Sequence, residues 1–278
     1  MTLRDVIAGT QDGPATVASL VHDLAGLGVQ PGTTVMVHCS LSALGFVSGG
    51  APAVIAALTQ ALGERGTLVM PTHSSDLSDP AGWHQPPVPV EWHQTIRDTM
   101  PAYHPVTTRT WRMGAVAESF RTHPDVVRSA HPRQSCAARG PHAARIVDDH
   151  ALDCAMGERS PMGRLYELDA WVLLLGVDHD RNTSLHLAEY RANWLSKKNA
   201  TFASPVTIVG ERHWLTVEDL DFDDSDFARL GADFERDTGQ VIVGPVAGAT
   251  ARLMQIRPLV DYAVKWINRA RAWPAPRR

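Results

Sequence analysis

Residues 33–71 read TTVMVHCSLSALGFVSGGAPAVIAALTQALGERGTLVMP, and the order of elements in this stretch decides the fold. TTVMVHC (33–39) and GTLVMP (66–71) are short runs of β-branched and apolar residues. Between them APAVIAALTQAL (51–62) carries apolar residues at helical spacing, with Pro52 near its start. Strand, helix and strand in that order make a βαβ unit, which implies parallel strands and a right-handed crossover. Both strands then end at one edge of a sheet, in the polar loops HCSLSALGFVSGG (38–50) and THSSDLSDPAGWHQPP (72–87). A third run, WVLLLGV (171–177), ends likewise at DHDRNTSLH (178–186). Three polar strand ends converge on one crevice, where open α/β sheets keep their ligands.

Around this unit the chain reads as one continuous body, without internal repeats or a low-complexity linker. TVASLVHDLAGLGV (16–29) has the spacing of a helix that ends at glycines. The stretch from Ser74 to Pro105 is rich in Trp, Pro and His with no period, and reads as a binding loop or a mobile one. SPVTIVG (204–210) and HWLTV (213–217), separated by Glu211 and Arg212, suggest a hairpin with Gly210 at the turn. IRPLVDYAVKWINRA (256–270) is an amphipathic helix with Leu259, Val260, Ala263, Val264 and Ile267 on one side.

Composition excludes several classes. With 278 residues, 44% of them hydrophobic, the chain can bury a large core. No window approaches the ~18 uninterrupted apolar residues of a membrane span, and MTLRDVIAGTQDGP at the start lacks the apolar core of a signal peptide. A soluble, cytoplasmic protein is expected, with no membrane contact. Three cysteines without CxxC spacing, Cys39, Cys136 and Cys154, suggest neither a disulfide framework nor a structural zinc site. A net charge of −4 and scattered basic residues argue against nucleic acid. The acidic residues are less even: six of the eleven positions 217–227, VEDLDFDDSDF, are Asp or Glu. That run is either a solvated loop or a surface that attracts a polycation.

Chemistry gathers after the third strand. His186 and Glu189 lie three apart on a helix and share a face, so the carboxylate can lie near the imidazole or both can point at one ligand, and the Thr183 hydroxyl one turn earlier can cap backbone amides or point into the crevice. Histidine changes charge near neutral pH and suits a general base, although a lone histidine on a helix also packs or hydrogen-bonds without catalysing. His73, Asp76 and Asp79 follow the second strand, where turn chemistry alone would put such residues. Combined with His179, Asp180 or His186 they could hold a metal, but no spacing such as HExxH supports one. The loop after the first strand offers small residues and backbone amides to an anion, without a GxGxxG or P-loop pattern. Arg128 and Arg164 are the basic residues best placed for phosphates, and Cys39 reads as buried and inert.

Six segments in order resemble the aminoglycoside 3-N-acetyltransferase family, an acetyltransferase fold distinct from the GNAT enzymes. They are VMVHCSLSALG (35–45), GTLVMPTHSSDLSDP (66–80), MGAVAESFR (113–121), RSAHPRQS (128–135), SPMGRL (160–165) and LLLGVDHDRNTSLHLAE (173–189). The resemblance spans roughly residues 15 to 270 and implies one antibiotic N-acetyltransferase domain over 1–278. Its fold would be a three-layer α/β/α sandwich with a central, largely parallel or mixed sheet and an inserted long substrate-binding loop region.

The implied activity is transfer of an acetyl group from acetyl-CoA to the 3-amino group of the 2-deoxystreptamine ring of aminoglycoside antibiotics, giving resistance, with no metal. By the same resemblance His186 is the base, with Glu189 and Thr183 beside it. His38, Ser40, Leu41, Ser42, Ser160, Met162, Gly163 and Arg164 would hold coenzyme A, and acidic side chains of the long loops would bind the ammonium groups; charge complementarity to a polycation, beyond the resemblance, extends this to His73, Asp76, Asp79, Asp180, Asp221 and Asp223. Cys136 departs from the aromatic residue usual in the family. A homodimer is left open. The rival readings are the same fold acting on another amine, a metal-dependent hydrolase using the same His and Asp loops, and a non-catalytic binding module.

Overall fold

Four strands spread along the chain alternate so strictly that each must have a core on both faces. Val35, Val37, Leu68, Met70, Leu173, Leu175, Ala251 and Leu253 point into one apolar layer, while Met36, Val69, Val172, Leu174 and Met254 point into the other. Alternation of this kind is what a strand covered by helices on both sides requires. The computed structural model describes residues 2–10 and 13–272. Its strands are β1 (Thr34–Cys39), β2 (Thr67–Pro71), β3 (Val127–Arg128), β4 (Cys136–Arg139), β5 (Trp171–Leu175), β6 (Asn199–Ile208), β7 (Glu211–Leu220), β8 (Ile242–Val246) and β9 (Ala249–Gln255). The helices are α1 (Leu3–Gly9), α2 (Val17–Leu27), α3 (Gly50–Leu62), α4 (His93–Thr99), α5 (Gly114–Arg121), α6 (Ala143–Val147), α7 (Pro161–Glu167), α8 (Leu185–Arg191), α9 (Phe227–Thr238) and α10 (Ile256–Ala270).

Seven strands form one sheet in the order β3-β4-β2-β1-β5-β9-β8. β1 pairs parallel with β2 and with β5, so the carboxyl ends of all three lie at one edge, as the βαβ reading requires. The other pairs are antiparallel. The three-layer sandwich is therefore realised with a mixed sheet; the two-residue link Ala247–Gly248 between β8 and β9 leaves no room for a crossover. Leu20, Leu24, Val54, Leu58 and Phe120 of α2, α3 and α5 cover one face. Ile146, Leu165, Leu185, Phe234, Val260 and Ile267 of α6 to α10 cover the other.

The hairpin is longer than its sequence signal. β6 and β7 pair over ten residues each, and the turn is Val209–Gly210, both with positive φ (50° and 82°), which puts Glu211 and Arg212 into β7. This hairpin orders the long 74–105 segment: Ser204 donates to the Leu77 carbonyl at 2.6 Å, Tyr103 N to the Pro205 carbonyl at 3.0 Å, and Arg212 Nε to the Met100 carbonyl at 2.7 Å. A stretch that reads as aperiodic is thus held by hydrogen bonds to another element. Among the described residues no helix is long and apolar enough to cross a membrane.

Candidate active site

A cavity of about 980 Å³ opens at the edge where β1, β2 and β5 end. Its walls come from the end of β1 with the turn behind it (His38 to Ser42), the end of β2 (Met70, Pro71, His73) and the segment after β5 (Val177, Asp180 to Thr183). Gly176 lets these walls meet. It ends β5 with φ +69°, and a Cβ there would lie 2.6 Å from Ala43 Cβ, so only glycine allows the Leu41–Leu44 turn to approach. The N-cap and first residue of α3 (Gly49, Gly50) and of α5 (Met113, Gly114) also face the cavity, and neither helix start has a side-chain cap. Arg112, which adopts φ 57°, stands on the same rim with its guanidinium 5.5 Å from the centre of the Trp111 ring.

His186 projects from α8 into this cavity. Its Nδ1 donates to Glu189 Oε2 at 2.6 Å, so the neutral ring carries its proton on Nδ1 and leaves the Nε2 lone pair for a reactant. Phe222 and Phe227 hold the ring from two sides, at centroid distances of 4.8 and 4.9 Å. Glu189 is fully buried, and its second oxygen accepts from Arg271 Nη1 at 2.8 Å and from Asp223 N at 3.0 Å. Arg271 is raised above its ordinary range: burial works against its charge, but the hydrogen bonds to Asp226 and Glu189 outweigh it. Thr183 is buried beside the cavity and its carbonyl accepts from His186 N at 3.1 Å. It does not cap α8, whose N-cap is Ser184.

Two further imidazoles line the cavity. His38 is lowered to about 3 by burial and by the nearby His186, and His73 to about 3 by burial and by His186, His38, His150 and Arg128. Both are neutral at working pH, and among the described residues the Nε2 of each is buried without a partner. Cys39, at the cavity wall, has its thiol pushed up to about 12 by burial, so it is no nucleophile.

Of the residues singled out from sequence, the fold brings His38, Ser40, Leu41, Ser42, His73, Asp180, Thr183 and His186 to the cavity, with Glu189 directly behind His186. The SPMGRL turn does not line it. Ser160 Oγ caps α7 by accepting from Met162 N at 3.1 Å, Met162 is buried in the core, and a Cβ on Gly163 would sit 2.4 Å from the Glu158 carbonyl. Arg164 donates to the carbonyls of Glu158, Ser160 and Asp149. These four residues build the start of α7, on the same face of the sheet as α8, and none of them is among the residues that line the cavity. Arg128 is likewise spent inside, on Thr72, Ser74, Ser135 and two carbonyls of the 105–108 segment.

The acidic residues expected to face the substrate are mostly paired within the fold. Asp79 forks onto Arg97 at 2.8 and 3.0 Å, Asp221 pairs with Lys198 at 3.1 Å, and Asp223 bonds Ser225 Oγ at 2.6 Å. None of them, nor Asp76, lines the cavity; Asp224 does, from the same acidic run. Asp180 faces the cavity but pairs with its neighbour Arg181 at 3.1 Å. Among the described residues no group of three or more His, Cys, Asp or Glu side chains is arranged to hold a metal ion. Sequence reasoning missed Arg271, Arg112 and Asp224. A lone arginine after a helix carries no local signal, while the acidic run already marked the neighbourhood of Asp224.

Comparison with known proteins agrees with this geometry. The model of the aminoglycoside 3-N-acetyltransferase family matches residues 36–268. An SPbeta prophage-derived aminoglycoside N(3')-acetyltransferase-like protein, YokD of Bacillus subtilis, is 44% identical over 254 residues, covering 91% of this chain and 92% of that protein. Its crystal structure superposes with a TM-score of 0.92 over 95% of this chain and 97% of that one. The structure of AAC-IIIb in a binary complex with CoASH has a TM-score of 0.83 at 31% identity, over 95% of this chain and all of that one. AAC-VIa bound to sisomicin has a TM-score of 0.84 at 32% identity, over 94% of this chain and all of that one. A family model spanning most of the sequence and relatives matched over nearly their whole length lead to one conclusion: this chain belongs to the aminoglycoside 3-N-acetyltransferase family and is an acyltransferase.

Proposed function

We propose that the protein acetylates the 3-amino group of the 2-deoxystreptamine ring of aminoglycosides with acetyl-CoA, by direct attack of the amine on the thioester and with His186 as general base, so conferring resistance. The observation that carries this reading is the 2.6 Å bond from His186 Nδ1 to the buried Glu189 at the wall of the large cavity. An amine of the acceptor, bound in the cavity, forms a C–N bond to the acetyl carbonyl carbon while the carbonyl π pair moves to oxygen. His186 Nε2 takes the proton that the amine must lose, and Glu189 stabilises the imidazolium. Such a base contributes typically ~10² to 10⁴-fold. The intermediate collapses with cleavage of the C–S bond, and the thiolate leaves as free coenzyme A after gaining a proton. Thr183, or a backbone amide next to it, is the donor for the oxyanion.

Coenzyme A would lie along Ser40, Leu41 and Ser42, with its phosphates near Arg112 and the uncapped starts of α3 and α5, where unpaired N–H groups and the helix dipole favour an anion. His38 and His73, being neutral, add no positive charge against a cationic acceptor. One observation favours a second reading, in which the acceptor is an amine of lower charge: the acidic side chains expected to bind ammonium groups are tied to Arg97, Lys198 and Arg181.

Thiol release from acetyl-CoA across gentamicin, tobramycin, kanamycin, neomycin and apramycin, with and without EDTA, separates the readings. Rapid chelator-insensitive release, lost in His186→Ala while acetyl-CoA still binds, is expected. Silence on the whole panel with acetyl-CoA bound moves the acceptor to another amine, and near-normal turnover by His186→Ala removes the general base.

A further inference from the structure

The carboxylate behind His186 is fully buried, and a buried carboxylate is tolerated only where its charge is matched. The matching cation comes from the far end of the chain, 82 residues away: Arg271, just past α10, has a side chain 8% exposed and donates from Nη1 to Glu189 Oε1 at 2.8 Å. The rest of its guanidinium is also spent. Nε and Nη2 fork onto Asp226 at 3.0 and 2.5 Å, Nη2 reaches the Asp223 carbonyl at 2.6 Å, and the group lies 5.1 Å from the centre of the Trp194 ring. Asp223 returns a second tie, its N–H donating to the same Glu189 oxygen at 3.0 Å. One planar cation therefore touches the carboxylate that orients the base and both sides of Asp224, the acidic residue that reaches the cavity from this loop.

We propose that Arg271 is a positioning residue of the acetyl transfer: it holds Glu189 against His186 and pins the Asp223–Asp226 loop, and with it Asp224, to the acceptor side of the cavity. The inference rests on the general-base reading of His186. A fork is needed for two partners at once, which a lysine ammonium cannot span in the same geometry. The charged and titratable groups that face the His186–Glu189 pair are Arg271 and, through it, Asp226, then Asp223, Asp224, Lys197 near Glu189, and the neutral His38 and His73 near His186.

The pH profile of kcat/KM gives signs that a packing role would not. In Arg271→Gln the Glu189 charge is no longer offset, the pair holds its proton to higher pH, and the acidic limb moves alkaline by roughly one unit. In Asp226→Asn the guanidinium keeps its hold on Glu189 but loses its own counter-charge, so the limb moves the other way, by roughly half a unit. Arg271→Lys keeps the charge without the fork; its limb stays near that of the parent while KM for the acceptor rises. In all three KM for acetyl-CoA is unchanged.

A limb that stays put in Arg271→Gln, or limbs that move in the same direction in Arg271→Gln and Asp226→Asn, overturns the proposal. If Arg271→Gln does not fold, an unmoved or alkaline limb in Asp226→Asn overturns it alone. Near-normal turnover by His186→Ala would instead remove the reading beneath it, whereas loss of turnover in His186→Ala with unmoved limbs in the other variants removes this inference only.

Discussion

Lowering the pH from 7 to 5 should destabilise this protein by an amount set by the imidazoles that the fold holds neutral. Burial and neighbouring rings lower His38 and His73 from an ordinary 6.5 to about 3, burial lowers His150 to about 4, burial with His150 beside it lowers His131 well below its ordinary value, and burial lowers His179 against the pull of Glu235. A histidine held neutral in the native state but free to charge in the unfolded state favours folding fully only above pH 6.5. The unfolded chain binds the extra proton as pH falls from 6.5 to about 3 or 4, and stability drains across that window. At pH 5 the gap to 6.5 is 1.5 units, and at 1.36 kcal/mol per unit each ring costs about 2 kcal/mol. His38, His73 and His150 together give about 6 kcal/mol, and the lowered His131 and His179 add loss of the same sign, a large share of an ordinary domain's stability. Glu118, held at about 2, adds to acid unfolding only below about pH 4.5, outside this window: burial opposes its charge, but Arg121 and Thr110 outweigh it. Urea midpoints at pH 7, 6 and 5, with proton uptake on unfolding measured at pH 5, test the claim. An uptake below one proton, or a stability flat between pH 7 and 5, would refute the neutral, desolvated state assigned to His38 and His73 and with it their role in keeping the cavity free of positive charge.

Three other outcomes follow from named contacts. Ser160→Ala should lower stability by about 1 kcal/mol through loss of the α7 cap and leave KM for acetyl-CoA unchanged, checked by thermal melts and steady-state kinetics; a raised KM would return that turn to the coenzyme site. Asp224→Asn should raise KM for an aminoglycoside by roughly tenfold with kcat little changed, the cost of about 1.4 kcal/mol of ammonium binding, and the difference from the parent should shrink in high salt. Gly231→Ala should destabilise by about 3 kcal/mol in urea, because its Cβ would fall 1.9 Å from His179 Cγ, where α9 packs on the ring that Glu235 holds at 2.9 Å.

What the sequence disclosed follows the range of the forces involved. Period-two runs, glycine stops and helical spacing are local, so β1, α3, β2 and α10 could be placed within a residue or so, and the shared edge of β1, β2 and β5 followed from parallel pairing alone. The His186–Glu189 pair was legible for the same reason: both residues stand on one helix, three apart. Charge pairing has no such address. Whether Asp79 or Asp221 faces a ligand depends on Arg97 and Lys198, 18 and 23 residues away, and nothing in the spacing distinguishes an aspartate with a partner from one without. SPMGRL shows the same limit from the other side: spacing cannot tell a polar helix start that meets an anion from one whose hydroxyl is satisfied by its own backbone, as Ser160 is here. Arg271 is the extreme case. A carboxylate as buried as Glu189 cannot stand without a counter-charge, and only the fold shows both that burial and which of 26 Lys and Arg residues supplies the cation. The unmatched buried charge, rather than the motif, is therefore the feature that leads from a recognisable pair to the residues that hold it in place.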